Sequence, residues 1–414
     1  MKTKFVLAAQ LQTNPSLIKP GSAKRALNTI YQAAEQGGLD LLAVGGDEAP
    51  FLFETLTVRK DRRHRIEQVY LWYTVLADNP TLESSQTAIN FHGKPLHGLV
   101  SSDTSESLHE NFRFACPNHP GVKANILAHL DVLLQRYDFD GVFLDKIRFP
   151  SPANGLDEIL SCFCPHCHRA ATAFGLDLEQ VRATLVRPHL SADASQRSRS
   201  VPSLVAGWTA ALLKDLPLIQ QFLAFRADCI TRLVGEISSV IRQRGRQLAL
   251  DLFSPGLAPW VGQDYRALTA YAAWCKPMVY RYANGPAGLR MEIPKLIQEL
   301  EDFTNLTPSA AWAFATHWVP ELSEITRSEL AAGHIPLSLI AYEAASAVRL
   351  FMPKPVYVGI EAVKLPQFDV DMTPATVKQL ILTAREAGAA GAVLSWDVLA
   401  MPAENIRAAR EAAD

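Results

Sequence analysis

Eight short apolar runs recur along the chain, each followed by a longer stretch with helical spacing, and this alternation limits the folds open to it. The runs are KFVLAAQ, LDLLAVGG, QVYLWYTVLAD and FDGVFLDKI in the first half, and RQLALDLF, WCKPMVYRY, VYVGIEAV and AGAVLSWDV in the second. Helical patterns fall over residues 23–36, 121–137, 218–244, 293–303, 330–351 and 373–387, with a last one from 403. Strands this uniformly apolar are buried on both faces, which is the condition of a parallel sheet covered by helices. Eight such units predict an α/β fold of the (β/α)8 TIM barrel type, with a doubly wound open sheet as the competing arrangement. The chain's 414 residues exceed the roughly 250 of a plain barrel. The surplus is expected as loop insertions within one domain spanning 1–414. One lies at about 80–113, with a hairpin turning at Gly93 in AINFHGKPLHG; the other lies at about 150–217, with a cysteine cluster and the polar loop LSADASQRSRSVPS at 190–203.

Composition narrows the function. A formal charge of −2 leaves no basic excess to neutralise a phosphate backbone, so nucleic acid is not an expected partner. No run approaches the roughly 18 apolar residues of a membrane span, and the first apolar stretch ends at Gln10, too early for a secretory leader. Six cysteines are too few for a disulfide scaffold in a chain this long, which suggests reduced thiols and a cytoplasmic setting. No glycine-rich phosphate cradle of the GxGxxG or GxxxxGK[ST] type is present. Oligomeric state is open at this stage.

In a barrel the active site forms at the carboxyl ends of the strands. Those ends carry Asp47 and Glu48, Tyr73 and Asp78, Asp145 and Arg148, Asp251, Lys276 and Tyr280, Glu361, and Trp396 and Asp397. Asp47 and Glu48, in GGDEAP, suit helix entry as well as substrate binding, and Asp78 suits a turn. Asp145, Asp251 and Glu361 differ because each interrupts apolar sequence (VFLDKI, LALDLF, VGIEAV), where an unpartnered carboxylate is costly. Side chains alternate along a strand, so an inward Asp145 brings Phe143 and Gly141 inward, and an inward Glu361 brings Gly359 and Tyr357.

Two carboxyl groups facing each other across a barrel mouth are the requirement of glycoside hydrolysis: an acid for the leaving oxygen and a carboxylate for the anomeric carbon or its attacking water. Lys146 and Arg148 beside Asp145 favour its ionised form, and the plainer apolar surroundings of Glu361 favour the acid, although the reverse assignment is nearly as good. The catalytic candidates are therefore Asp145, Glu361 and Asp251. Asp47, Glu48, Tyr73, Arg148, Lys276, Tyr280, Trp396 and Asp397 are the candidates for binding a carbohydrate, whose rings stack on aromatic faces. The segment CPNHPGVKANILAHLDVLLQRYDFDGVFLDKIRFP resembles the CPN-helix-DGxxxDxIR(F/Y)P segment of bacterial TIM-barrel proteins classed as glycosyl hydrolases. The resemblance covers residues 114–150, and it implies the same barrel, action on a glycoside, and an active-site role for Asp145.

SCFCPHCHRA places Cys162, Cys164 and Cys167 within six residues, a spacing that lets three thiolates meet on one zinc ion with Cys116, His166 or His168 as fourth ligand. Packed free thiols are the alternative; if metal binds, a structural role is expected. Three other functions remain open: a Schiff-base lyase or aldolase built on Lys276 or Lys146, a carbohydrate-binding barrel without catalysis, and a metal-dependent hydrolase.

Overall fold

The computed structural model describes residues 4–58, 66–98, 112–186, 217–304, 307–366 and 369–414. Eight parallel strands close into a barrel in chain order: β1 (Val6–Thr13), β2 (Leu41–Gly46), β3 (Gln68–Thr74), β4 (Gly141–Asp145), β5 (Gln247–Phe253), β6 (Trp274–Met278), β7 (Tyr357–Glu361) and β8 (Gly391–Ser395). β8 returns to β1 in the register Val6↔Gly391 to Ala9↔Leu394. A two-residue antiparallel ribbon, Lys364–Leu365 with Val370–Asp371, follows β7. Seven of the eight strands lie within the runs read from the sequence, and β1 continues three residues past its run, from Gln10 to Thr13.

Helices Pro20–Gly37, Pro120–Arg136, Pro217–Gln243, Leu289–Thr304, Pro374–Glu386 and Ala403–Ala413 coincide with the expected ones. The pattern at 330–351 divides into Arg327–Ala331 and Leu337–Phe351, because Gly333 adopts a left-handed φ of +85° and Pro336 precedes the second helix. Among the described residues six helices were not foreseen: Pro50–Thr57, Leu156–Ile159, Pro165–Phe174, Leu178–Val186, Tyr265–Leu268 and Pro308–Trp318. Three of them start at a proline, whose fixed φ and missing N–H suit the first helical position. The hairpin at Gly93 forms: its φ is +77°, Asn90 N donates to Lys94 O at 2.9 Å, and Ile89 bridges Pro95. The 190–203 loop lies outside the described residues. Among the described residues no helix is long and apolar enough to cross a membrane.

The barrel interior is filled in layers. Its lower part holds Ala8, Leu41, Ala43, Tyr70, Phe143, Ala249, Trp274 and Val393, with Tyr357 and Trp72 against them. Phe143 stacks on Trp274 at 5.3 Å and 17°, Trp274 meets Tyr357 at 4.9 Å, and Tyr70 meets the edge of Trp274 at 5.5 Å. Large rings on some strands face alanines on others, the complementary filling that a closed barrel needs. The expected inward set is therefore present, with Phe143 and Tyr357 in this floor.

β6 and β7 are the loosest seam. Pro277 has no N–H to give the ladder, and the register is the single pair Met278↔Gly359 with a bridge Cys275↔Val356 below it. Gly359 is required for space: a Cβ there would stand 2.6 Å from Lys276 Cε and 3.0 Å from Pro277 O. Gly359→Ala is expected to destabilise the protein by roughly 1–3 kcal/mol, the usual cost of overpacking a filled core, seen as a lower urea midpoint at unchanged slope. An unchanged midpoint would mean that the Lys276 side chain is not fixed by its surroundings.

Candidate active site at the barrel mouth

Above the aromatic floor, the interior changes from rings to hydrogen-bonding groups. Asp251 of β5 and Lys276 of β6 are register partners, and Lys276 Nζ donates to Asp251 Oδ2 and to Gln10 Oε1 of β1, both at 2.8 Å. Ser395 Oγ donates to the same Gln10 oxygen at 2.8 Å, and Tyr280 OH donates to Ser395 Oγ at 3.0 Å. Five residues from four strands and the loop after β6 are thus joined across the barrel, all buried. Lys276 Nζ also lies 5.6 Å from the centre of the Phe143 ring and 5.3 Å from that of Tyr280, so ring faces take up part of its charge.

Asp145 ends β4, next to β5, and is half-buried. Trp72 Nε1 donates to its Oδ2 at 3.1 Å, and the N–H of Lys146 donates to its Oδ1 at 2.6 Å. The charges that follow Asp145 then part company. Lys146, at φ +52°, turns its ammonium to Asp78 and over the Phe112 ring at 4.7 Å. Arg148 is buried between the rings of Phe114 and Phe253, each 4.5 Å away. The strand ends in three charges because each has a separate partner at the mouth.

Burial pushes the Asp251 carboxyl up to about 7; the Lys276 ammonium opposes this and the nearby Asp145 adds to it. Its Oδ1 has no protein partner. Asp397 is likewise raised to about 6 by burial, against the pull of the Leu399 N–H that it caps. Burial also raises Glu361.

A cavity of about 1670 Å³ opens over these groups. It is lined by Asp145, Asp251, Asp47, Glu48, Tyr73, Arg148, Lys276, Tyr280, Trp396 and Asp397 from the sequence-based set. Glu361 points inward as expected but is fully buried and not part of the lining. Its Oε1 accepts the N–H groups of Tyr282 at 2.7 Å and Ala283 at 3.1 Å, so it fixes the chain after β6. The structure therefore brings Asp251, and not Glu361, to the cavity beside Asp145. Glu48 is held by Tyr137 OH at 2.5 Å and Arg136 at 3.0 Å, which ties the rim to the helix Pro120–Arg136. Tyr73 lines the cavity on the side of the helix Pro120–Arg136, its OH 3.2 Å from Nδ1 of His129 on that helix. Its neighbour Trp72 is the inward residue, as the alternation with Tyr70 signals. Gln10 was also missed, although it interrupts apolar sequence as Asp145 does.

Beside the mouth, Cys116, Cys162, Cys164 and Cys167 are buried with their sulfurs within 4.8 Å of one another, an arrangement able to hold a metal ion. None of the six cysteines forms a disulfide. His166 is not in the cluster; its ring nitrogen lies 2.8 Å from Arg169, and His168 lies 3.6 Å from Glu179.

No family model and no curated protein matches the chain. Solved structures do. The glycoside hydrolase domain of PgaB (BpsB) from Bordetella bronchiseptica superposes with a TM-score of 0.57 at 12% identity, covering 96% of this chain and 95% of that one. The catalytic domain of a β-amylase from Paenibacillus polymyxa gives 0.53 at 9% identity, covering 98% and 95%. A β-galactosidase from the psychrophilic Marinomonas ef1 gives 0.54 at 12%, covering 99% of this chain and 59% of that one. At such identities the likeness is one of fold: this is a TIM barrel of the form found in glycoside hydrolases.

The raised Asp251 has a consequence for stability. Its carboxyl binds a proton more tightly in the folded chain than at the ordinary 3.8, so the folded state holds more protons between about pH 4 and pH 7. Stability should therefore fall as pH rises through that window. Melting curves should show a shallower fall for Asp251→Asn than for the parent protein; parallel curves would mean that Asp251 ionises at its ordinary value.

Proposed function

We infer that this protein cleaves or transfers a glycosidic bond, with Asp145 and Asp251 as the acting carboxyl groups. The observation that supports this reading most is that two carboxyl groups on adjacent strands, Asp145 at the end of β4 and Asp251 within β5, share one cavity and act on each other, while burial holds one of them near 7. Glycoside hydrolysis asks for such a division, one carboxyl keeping its proton at neutral pH and the other meeting the sugar. Asp251, at the back of the cavity, supplies the proton for the leaving oxygen. Asp145, oriented by Trp72 and its own neighbouring N–H, faces the anomeric centre. Glu361 serves as a positioning residue that keeps Tyr280 and the chain after β6 in place.

The substrate is a carbohydrate of several sugar units. The cavity, at about 1670 Å³, is larger than the roughly 300–1,000 Å³ of a typical small-ligand pocket. Trp72 and Trp396 line it, with Trp396 set edge-on to Tyr280 at 5.5 Å, and flat apolar faces beside charged groups suit stacked, hydroxyl-rich rings. Lys276 is bound on two sides by Asp251 and Gln10, an arrangement that suits electrostatic support of Asp251 better than attack on a carbonyl. Borohydride added with substrate should therefore trap no adduct on Lys276.

Against a panel of oligosaccharides, Asp145→Asn and Asp251→Asn should each lower kcat by about 10²–10⁴-fold, the usual contribution of a positioned acid or base, with the circular dichroism spectrum retained. On an aryl glycoside whose leaving group needs no proton, the loss for Asp251→Asn should shrink while that for Asp145→Asn persists. Full activity in both variants, or oligosaccharide binding without turnover by the parent protein, would overturn this mechanism.

A further inference from the structure

We propose that Cys116, Cys162, Cys164 and Cys167 bind one zinc ion as a closed tetrathiolate, and that this ion fixes the wall of the cavity formed by the loops after β3 and β4. The geometry is that of a site with all four ligands already in place. Zinc bound to four sulfurs at about 2.3 Å has S···S edges of about 3.8 Å. Here Cys116 Sγ stands 3.4 Å from Cys164 Sγ and 3.5 Å from Cys167 Sγ, and no pair of the four exceeds 4.8 Å. A single disulfide needs only two sulfurs to approach, whereas four converging on one point is what a tetrahedral ion requires. With four protein ligands no position is left for water or substrate, so the ion is structural and takes no part in bond cleavage.

Donors that suit thiolates surround the cluster. The N–H of Ile89 donates to Cys162 Sγ at 3.2 Å, and Asn118 Nδ2 donates to Cys167 Sγ at 3.3 Å. The wholly buried Arg226 guanidinium interacts electrostatically with Cys162 and Cys167. Its nitrogens are held by Trp260 O at 2.9 Å and Ile159 O at 2.5 Å. Zinc with four thiolates carries two net negative charges, and these N–H groups and the buried Arg226 guanidinium offset them, the outer support that metal sites need.

The three loop segments meet at the cluster. Cys116 N donates to Gln86 O at 2.9 Å, Phe163 N donates to Ile89 O at 2.8 Å, and Cys164 begins the helix Pro165–Phe174. Two residues before Cys116, the Phe114 ring covers the Arg148 guanidinium, which lines the cavity. The ion therefore acts on the cavity through the path Cys116, Phe114, Arg148.

The test is the metal content of the full chain, purified without chelator and, separately, refolded with added zinc. One zinc per chain is expected, with Cys116→Ser losing it and Cys229→Ala, a buried thiol outside the four, keeping it. Cobalt in its place should give the intense visible bands of a tetrahedral thiolate site, and stripping the zinc should lower the melting temperature until zinc is restored. Chains that hold no zinc in either preparation, or iron in its stead, would overturn the proposal. So would thiol titration after unfolding without reductant that finds four free thiols where six are expected. None of these readouts depends on glycoside turnover, so the outcome stands apart from the reading of the active site.

Discussion

The ion pair of Asp251 and Lys276, set inside the barrel and completed by Gln10, is the constraint around which the mouth is arranged. Removing two charges from water costs several kcal/mol per ion, and attraction alone offsets this only with good geometry and further hydrogen bonds. The sequence supplies both. β5 and β6 place the two residues in register, Gly359 leaves room for the lysine stem, and Gln10 and Ser395 extend the bonding across to β1 and β8. Lys276 does not cancel the cost of burying Asp251, whose proton affinity remains raised.

Asp145 stands beside this pair under different conditions. It is more exposed, it is bound by an indole N–H and a backbone N–H, and the two cations that follow it are engaged elsewhere, by Asp78 and by the rings of Phe114 and Phe253. The aromatic groups serve two purposes on this chain. Below the pair they fill the interior, while Trp72, packed on that floor, and Trp396 line the open cavity.

Much of this was legible because a parallel strand buried on both faces has almost no tolerance for a polar residue. Asp145, Asp251 and Glu361 were conspicuous for that reason, and the strand count followed from the same apolar runs. The function of each embedded group was less legible. Glu361 meets the same criterion as Asp251, yet its partners are the backbone N–H groups of Tyr282 and Ala283, and a backbone donor leaves no trace in sequence. Gln10, being neutral, did not stand out among the apolar residues of β1 although it accepts from the side chains of Lys276 and Ser395. Tyr73 and Trp72 differ only in which way one residue faces, and the parity set by Tyr70 decides it. The choice of Cys116 over His166 or His168 beside the cysteine cluster depended on the folding of two loops far apart in sequence.

The packed rings of Phe143, Trp274, Tyr357 and Tyr70 make the barrel blind at its lower end. Whatever enters must leave by the opening through which it came, so a polymer cannot be threaded through the molecule and drawn out on the far side. Under the glycosidase reading proposed above, a long chain would lie across the rim or dip one terminus into the well.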